Sequence, residues 1–438
     1  MAKIAAEPLG NKYYRLFSSA LVSNIGDGIT MVAFPWLASA VTRSPILIAL
    51  IALVSRLPWL LFSLPAGVIT DRLDRKKLIV SMDLSRGILI ALIGALVFLQ
   101  QDTLPGLNEL AKADFQTNYF MYLVLLGATF VAGCAEVLRD NSAQTVLPSI
   151  VEKSQLEKAN GRLWSAESVM NTFVGPPLGS LIIGIAIFLP FFVNAGTFFI
   201  AAALIASISG TFSAQTTAKR DPIDTNWRAD LKEGLSWLWK HELLRPLAII
   251  LGLINGLSAM SAATYILFAQ EILGTSVFEF AILGTGSAVG GIIGGVVAHK
   301  ISKRIGPGPS LGLTMLGGGV FLILTGLVSN WILVWIFSFF TTLLAVLWNV
   351  ITVSLRQQII PDQLLGRVNS AYRFFGWGMM PIGSLIGGGL IALVELISTR
   401  EWALRSPFIL GGLFSLLLFG FARQVLTTER IEAAKSSS

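Results

Sequence analysis

Apolar residues along this chain come in long runs, with little alternation between apolar and polar positions. A bilayer core about 30 Å thick takes about 20 apolar residues per helix. Twelve runs of about that length can be marked out. In the first half they cover 13–41, 45–70, 77–99, 118–147, 161–188 and 190–212. In the second half they cover 243–273, 278–300, 310–329, 331–355, 367–397 and 406–424. The period-two pattern of a membrane barrel is missing. Backbone groups in lipid must bond within their own segment, so the runs read as helices. The pattern predicts an all-α membrane protein with about 12 transmembrane helices.

A polar stretch divides the runs six and six. Residues 1–212 are expected to form an N-terminal six-helix bundle and 243–425 a C-terminal one, with 213–242 a cytoplasmic linker and 426–438 a tail. Within the linker, Leu231, Leu235 and Leu238 share one helical face opposed by charge. That pattern suits an amphipathic helix lying on the cytoplasmic leaflet, with partner docking as the alternative.

The two halves repeat one another. Gly161-Arg162-Leu163-Trp164-Ser165-Ala166 matches Gly366-Arg367-Val368-Asn369-Ser370-Ala371. Each is followed by Pro-x-Gly-Ser-Leu-Ile, at Pro177 and again at Pro381. Earlier in each half, the stretch from Gly67 to Lys76 matches that from Gly295 to Arg304, with His299 where the first copy has Asp71. Duplicated bundles are the construction of alternating-access transporters, whose substrate sits between the halves near the bilayer midplane.

Composition agrees with the runs. Charged residues are 13% of 438, about half the roughly 25% of a soluble domain. The net charge of +7 gathers in alternate loops: Lys12/Arg15, Arg72 to Lys77, Lys153 to Arg162, Lys219 to Arg245, Lys300 to Arg304 and Arg356/Arg367. The positive-inside rule places those loops, and both termini, in the cytoplasm. No basic stripe on a folded module points to nucleic acid. A single cysteine, Cys134, excludes an internal disulfide and a cysteine metal cluster. Two histidines leave no histidine metal site, and no nucleophile–base pair is visible, so neither cofactor nor enzymatic activity is expected. The polar first eleven residues and the long first run argue against a cleavable signal peptide.

An ionisable group inside a span is a functional candidate by default, because its insertion costs about 3 kcal/mol. Asp27 lies near the middle of the first run, with Asn24 three residues back on the same face. Asp27 is the first choice for a carboxylate that carries a proton or a cation; the alternative is a buried Asp bonded to backbone or to Asn24. Glu136, Arg139 and Asp140 share a face of the fourth run, either as a proton relay or as a structural ion cluster. Glu167 and Arg373 are weaker candidates. Gly286-x-x-x-Gly290-x-x-x-Gly294, Gly175/Gly179 and Gly383/Gly387 let helices approach closely, and Pro176, Pro177 and Pro381 bend theirs. Such helices suit either sliding at the contact between halves or ordinary packing. Phe34, Trp36, Trp348, Tyr372, Phe374, Phe375 and Trp377 are candidates to line an apolar cavity.

Several of these residues resemble the major facilitator superfamily. Gly67-x-x-x-Asp71-Arg72-x-x-Arg75-Lys76, between two apolar runs, is similar to that family's signature loop. Gly175-Pro176-Pro177-Leu178-Gly179 resembles the core of the drug:proton antiporter motif, with Ser180 where a further Gly is usual. Two further stretches, 147–160 and 231–245, resemble the branch holding macrolide-efflux proteins and the enterobactin exporter. The resemblance implies a bacterial inner-membrane protein with the major facilitator fold, two pseudo-symmetric bundles and a monomeric state. It further implies that Asp71 latches near Arg367, that the neighbouring cations pair with Asp83 or with lipid phosphates, and that the first and fourth spans line the cavity. The expected activity is proton-coupled efflux of a hydrophobic or amphipathic small molecule, of drug, macrolide or siderophore class. A transporter-like sensor or assembly subunit, or a lipid or solute transporter of other direction, is the alternative. Expected partners are that small molecule, protons and membrane lipids.

Overall fold

The computed structural model describes residues 9–106, 109–110, 115–152, 155–210, 212, 227–361 and 364–436. Among the described residues, twelve helical stretches are long and apolar enough to cross a membrane. The first six are α1 (Gly10–Val41), α2 (Pro45–Arg72), α3 (Arg75–Leu99), α4 (Tyr119–Ile150), a composite fifth, and α7 (Leu189–Ala206). The composite span joins α5 (Leu156–Val169) through a π-helical turn (Met170–Val174) to α6 (Gly175–Ile185). The linker holds α8 (Trp227–Lys240). Next come α9 (Leu244–Ala262), the short α10 (Tyr265–Glu271), α11 (Val277–Ile305), α12 (Pro307–Leu327), α13 (Trp331–Ile359), α14 (Leu365–Glu395) and α15 (Arg400–Val425), closed by α16 (Thr428–Ser436).

Most helices outrun their apolar stretches by a few residues, because hydrogen bonding continues into polar flanks. Asp74 caps α3 by accepting from the Lys77 N–H at 3.1 Å. Ser276 and Glu279 form a reciprocal capping box on α11. The seventh span departs from the continuous helix expected over 243–273. It breaks at Ala263–Thr264, and the Thr264 carbonyl accepts from Leu267 N–H at 3.0 Å to start α10.

The chain divides into two compact units. One comprises Met1–Val41, Leu57–Glu109 and Gln116–Lys219; the other comprises Thr42–Arg56, Leu110–Phe115 and Arg220–Ser438. The larger share of α2 thus packs with the first unit while its opening turns pack with the second. In the first unit α3 lies against α4 and α7, and α1 lies against α6 and α7. Tyr13, Leu16, Ile79, Val146 and Ile205 close its core at one end. In the second unit α11 packs on α13, α9 on α14 and α12 on α15.

The linker helix belongs to the second unit's core more than the expected leaflet-facing reading allowed. Leu238 is buried among Leu243, Leu244 and Tyr372. Gly234 faces the Arg367 backbone so closely that a Cβ there would stand 2.6 Å from its carbonyl. Leu235 and Trp239 stay exposed, and the Leu231 side chain lies outside the described residues, as do residues 213–226. Glu233 forms an ion pair with Arg367.

A second ion network within this unit was not anticipated. Glu271, at the end of α10, pairs with Arg43 and, at 2.8 Å, with Arg400. Arg400 also reaches Glu395 at 3.0 Å and donates to the Arg43 carbonyl at 2.9 Å. The loop after α1 is thereby tied to the ends of α10, α14 and α15.

His241, between α8 and α9, serves as a helix cap. Its Nδ1 accepts from the Leu243 and Leu244 N–H groups, each at 3.2 Å, and so caps α9. Only a neutral imidazole with a free Nδ1 can do this. Burial lowers its pKa from the ordinary 6.5, with Glu242 opposing. A histidine with a lowered folded pKa contributes stability above the unfolded value and loses it as pH falls below that value. The thermal midpoint in detergent is therefore expected to decline as pH drops from about 6.5 towards the lower folded value. His241→Asn, which keeps a capping oxygen, should flatten that part of the profile. An unchanged slope in the variant would place the titration elsewhere.

Candidate functional site

The first unit carries a charged cluster inside its spans. It starts from an amphipathic detail of α3, where Ile79, Asp83, Arg86, Ile90, Ile93 and Val97 follow one buried stripe at helical spacing. Two of those positions are ionic, and the partners come from α1 and α4. Arg86 donates from Nη2 to Asp27 Oδ1 at 2.8 Å and lies 3.9 Å from Glu136 Oε2. Its guanidinium also stacks over Phe198 of α7, 4.2 Å from the ring centre. Arg139 lies 3.4 Å from Asp83 and 3.2 Å from Asp140, and donates to Ser23 Oγ at 3.3 Å.

Expected residues and unexpected ones thus meet in one place. Asp27, Glu136, Arg139 and Asp140 are all in the cluster. Asp83 and Arg86 complete it, although Asp83 was expected to face the signature-loop cations and Arg86 was not singled out. Asn24 sits beside it, accepting from Asn171 Nδ2 at 2.9 Å and donating to the Ala20 carbonyl at 2.7 Å.

Charge does not balance in this cluster. Four carboxylates (Asp27, Asp83, Glu136, Asp140) face two guanidiniums (Arg86, Arg139). Asp83 is 0% exposed, and neither of its oxygens has a hydrogen-bond partner among the described residues. Its charge partner Arg139, 3.4 Å away, is shared with Asp140, so this buried charge is compensated only in part, which is costly. Two protons, or a cationic ligand, would restore neutrality.

Two of the signature-loop cations reach backbone carbonyls. Arg75 Nη1 donates to the Thr145 carbonyl at 3.1 Å, and Lys76 Nζ to the Ile208 carbonyl at 2.6 Å. Both cations thus bind carbonyls near helix C-termini, where positive charge is favoured. Asp83 stands eight residues beyond Arg75 on the same helix, about 12 Å along it, too far to pair. The surroundings of Gly67 and the side chains of Asp71, Arg72 and Arg373 lie outside the described residues.

The antiporter-like motif forms a helix joint. Pro176 and Pro177 supply no N–H, and the Gly175 N–H reaches back five residues to the Met170 carbonyl, which makes the π turn. A Cβ on Gly175 would lie 2.5 Å from Gly28 Cα, and one on Gly179 2.5 Å from the Ile29 carbonyl oxygen. The second unit repeats the arrangement, with Gly383 against Gly256 and Gly387 against Met260. Gly286, Gly290 and Gly294 meet Trp335, Phe339 and Leu343 of α13. The sliding role weighed for these glycines gives way to tight packing within a unit, because each faces a helix of its own bundle.

Aromatic candidates divide. Trp36, Trp348 and Tyr372 are buried in their units, whereas Phe374 and Trp377 are exposed. Trp377 borders a cavity of about 320 Å³ in the second unit with Leu251, Asn349, Gln357 and Asn369. Arg356 also lines it, stacked 4.0 Å over Tyr372 and donating to Asn369 at 3.2 Å.

Residues 16–383 match the family model described as Major Facilitator Superfamily. The chain belongs to the Major Facilitator Superfamily. It is a multi-pass secondary transporter and not an enzyme. Full-length relatives agree in kind. The chain is 26% identical to the multidrug efflux pump Tap of Mycolicibacterium fortuitum over 91% of this chain and 94% of that one. It is 23% identical to macrolide efflux protein A of Streptococcus pyogenes, covering 90% and 92%. It is 24% identical to the enterobactin exporter EntS of Escherichia coli O1:K1 / APEC, covering 96% and 95%. In fold it is similar to a mutant of the nucleoside transporter NupG, with a TM-score of 0.73 at 7% identity, covering 95% of this chain and 100% of that one. Members of the Major Facilitator Superfamily carry small molecules across membranes.

Proposed function

We propose that this transporter exports a hydrophobic or amphipathic small molecule, of drug, macrolide or siderophore class, in exchange for protons by alternating access. The observation that carries this reading is the cluster of four carboxylates facing two guanidiniums. Its surplus negative charge supports uptake of protons from one side and their release to the other. Arg86 stands between two acids, close to Asp27 and farther from Glu136. Protonation of Asp27 weakens its hold on Arg86, which then turns to Glu136. The four acids share two guanidiniums, so a proton on one changes the pairing of the others.

Export, rather than import, is supported by the names of the full-length relatives, which are efflux pumps and an exporter. The cavity of amide, guanidinium and indole groups in the second unit supports a substrate with hydrogen-bond acceptors beside apolar surface. The asymmetry of Lys and Arg along the chain supports cytoplasmic termini in a bacterial inner membrane. A monomer is the working state.

Purified protein in proteoliposomes, with an imposed pH gradient, tests the proposal. A macrolide, a catecholate siderophore and a lipophilic cation are the probes. Flux of at least one should follow the gradient and stop when a protonophore collapses it. Flux that ignores the gradient would remove the proton coupling. Absence of flux for all three classes would remove the substrate assignment.

A further inference from the structure

The second unit holds a larger cavity, of about 600 Å³, between the start of α12, the end of α15 and the first turn of α16. It lies far along the chain from the charged cluster and takes no part in it. Its wall is apolar, with Leu313, Leu316, Phe419 and Leu426. Gly308 is close enough to α16 that its N–H donates to Thr428 Oγ1 at 3.3 Å, which fixes where α16 begins.

Two charged residues, Arg423 and Glu429, line the same cavity. Both are exposed, and among the described residues neither makes an ion pair. A cation and an anion left apart beside an apolar recess form a two-point polar template. Lys303 and Arg304, in the last turn of α11, add exposed positive charge beside Ile305, which also borders the cavity. This end of the molecule is one that the distribution of Lys and Arg places at the cytoplasmic leaflet.

We propose that this cavity binds one phosphatidylethanolamine molecule of the surrounding bilayer. An acyl chain would lie along Leu313, Leu316 and Phe419. The phosphate would accept from Arg423, a charge-assisted bond that a guanidinium makes well. The primary ammonium would donate to Glu429. A head group with net negative charge meets repulsion at Glu429. A trimethylated ammonium has no N–H to give. The template therefore selects the zwitterionic lipid with a primary amine over phosphatidylglycerol and phosphatidylcholine.

Native mass spectrometry of the full-length protein, released from micelles with equimolar amounts of the three lipids, tests this. Phosphatidylethanolamine should be retained about tenfold over either competitor, the scale of one charge-assisted hydrogen bond. Leu313→Trp fills the recess and should reduce its retention to that of phosphatidylcholine. Leu316→Trp serves if the first variant does not fold, with size-exclusion profiles as the control. Glu429→Gln should shift the preference to phosphatidylglycerol, and Arg423→Gln should lower retention of both phosphatidylethanolamine and phosphatidylglycerol. Equal retention of the three lipids by the unaltered protein would overturn the proposal. So would a phosphatidylethanolamine preference that survives both a folded filling variant and Glu429→Gln.

Discussion

Asp27→Asn is expected to reduce gradient-driven transport to the level of empty vesicles while leaving the protein folded. The amide keeps the shape and one acceptor oxygen for Arg86, which stands 2.8 Å away. It cannot carry a proton, so the step that couples the gradient to the cycle is lost. Folding is spared because the cluster then holds three carboxylates against two guanidiniums, closer to balance than before. Glu136, 3.9 Å from Arg86, is at hand to take over the pairing. Substrate exchange without a pH gradient, followed by isotope counterflow, should persist in the variant. Full gradient-driven flux in Asp27→Asn would take that residue out of the coupling.

Gly383→Leu should fail to yield a monodisperse protein at all. A Cβ at this position would lie 2.0 Å from the Gly256 carbonyl oxygen, and the obstacle is backbone, which cannot rotate away. Overpacking of this kind costs about 3 kcal/mol or more where the neighbour cannot yield. Two long helices, α9 and α14, would have to separate. Gly389, six residues along the same helix, has nothing within 4 Å of its added Cβ. Gly389→Ala should therefore behave as the unaltered protein, or gain up to about 1 kcal/mol from helix propensity. Fluorescence-detected size exclusion of the two variants, expressed side by side, checks the contrast. A monodisperse Gly383→Leu peak would mean that the helices are not held at this distance.

Much of this architecture is legible from the chain because lipid tolerates so little. Long apolar runs have one stable answer, and each span was visible in them. An acid amid such a run, as at Asp27, announces itself for the same reason. That reasoning also applied to Asp83 and Arg86, which lie within the third run. The basic loop offers Asp83 nearby cations as partners and offers Arg86 none, and only the stripe of α3 shows that both turn inward. Partners across helices were a different matter. Glycine spacing says that something approaches closely, but not that Gly175 meets Gly28 or that Gly383 meets Gly256. Arg43, Glu271, Glu395 and Arg400 lie at four separate helix ends, and nothing in their local sequence links them. The break before Tyr265 falls in a stretch, 258–265, that holds neither Gly nor Pro, so the usual breakers do not mark it.

Pro177 follows Gly161 by one residue more than Pro381 follows Gly366. The later copy, α14, is α-helical throughout, whereas the earlier one widens at Met170–Val174. One extra residue in the earlier copy accounts for both facts, with the surplus amino acid absorbed in a single five-residue loop of backbone instead of being passed along the rod. The two copies are consequently not interchangeable: grafting one copy's segment onto the other would turn everything beyond the splice by about 100°, one residue's worth of helical rotation, and swing Asn171 out of reach of Asn24.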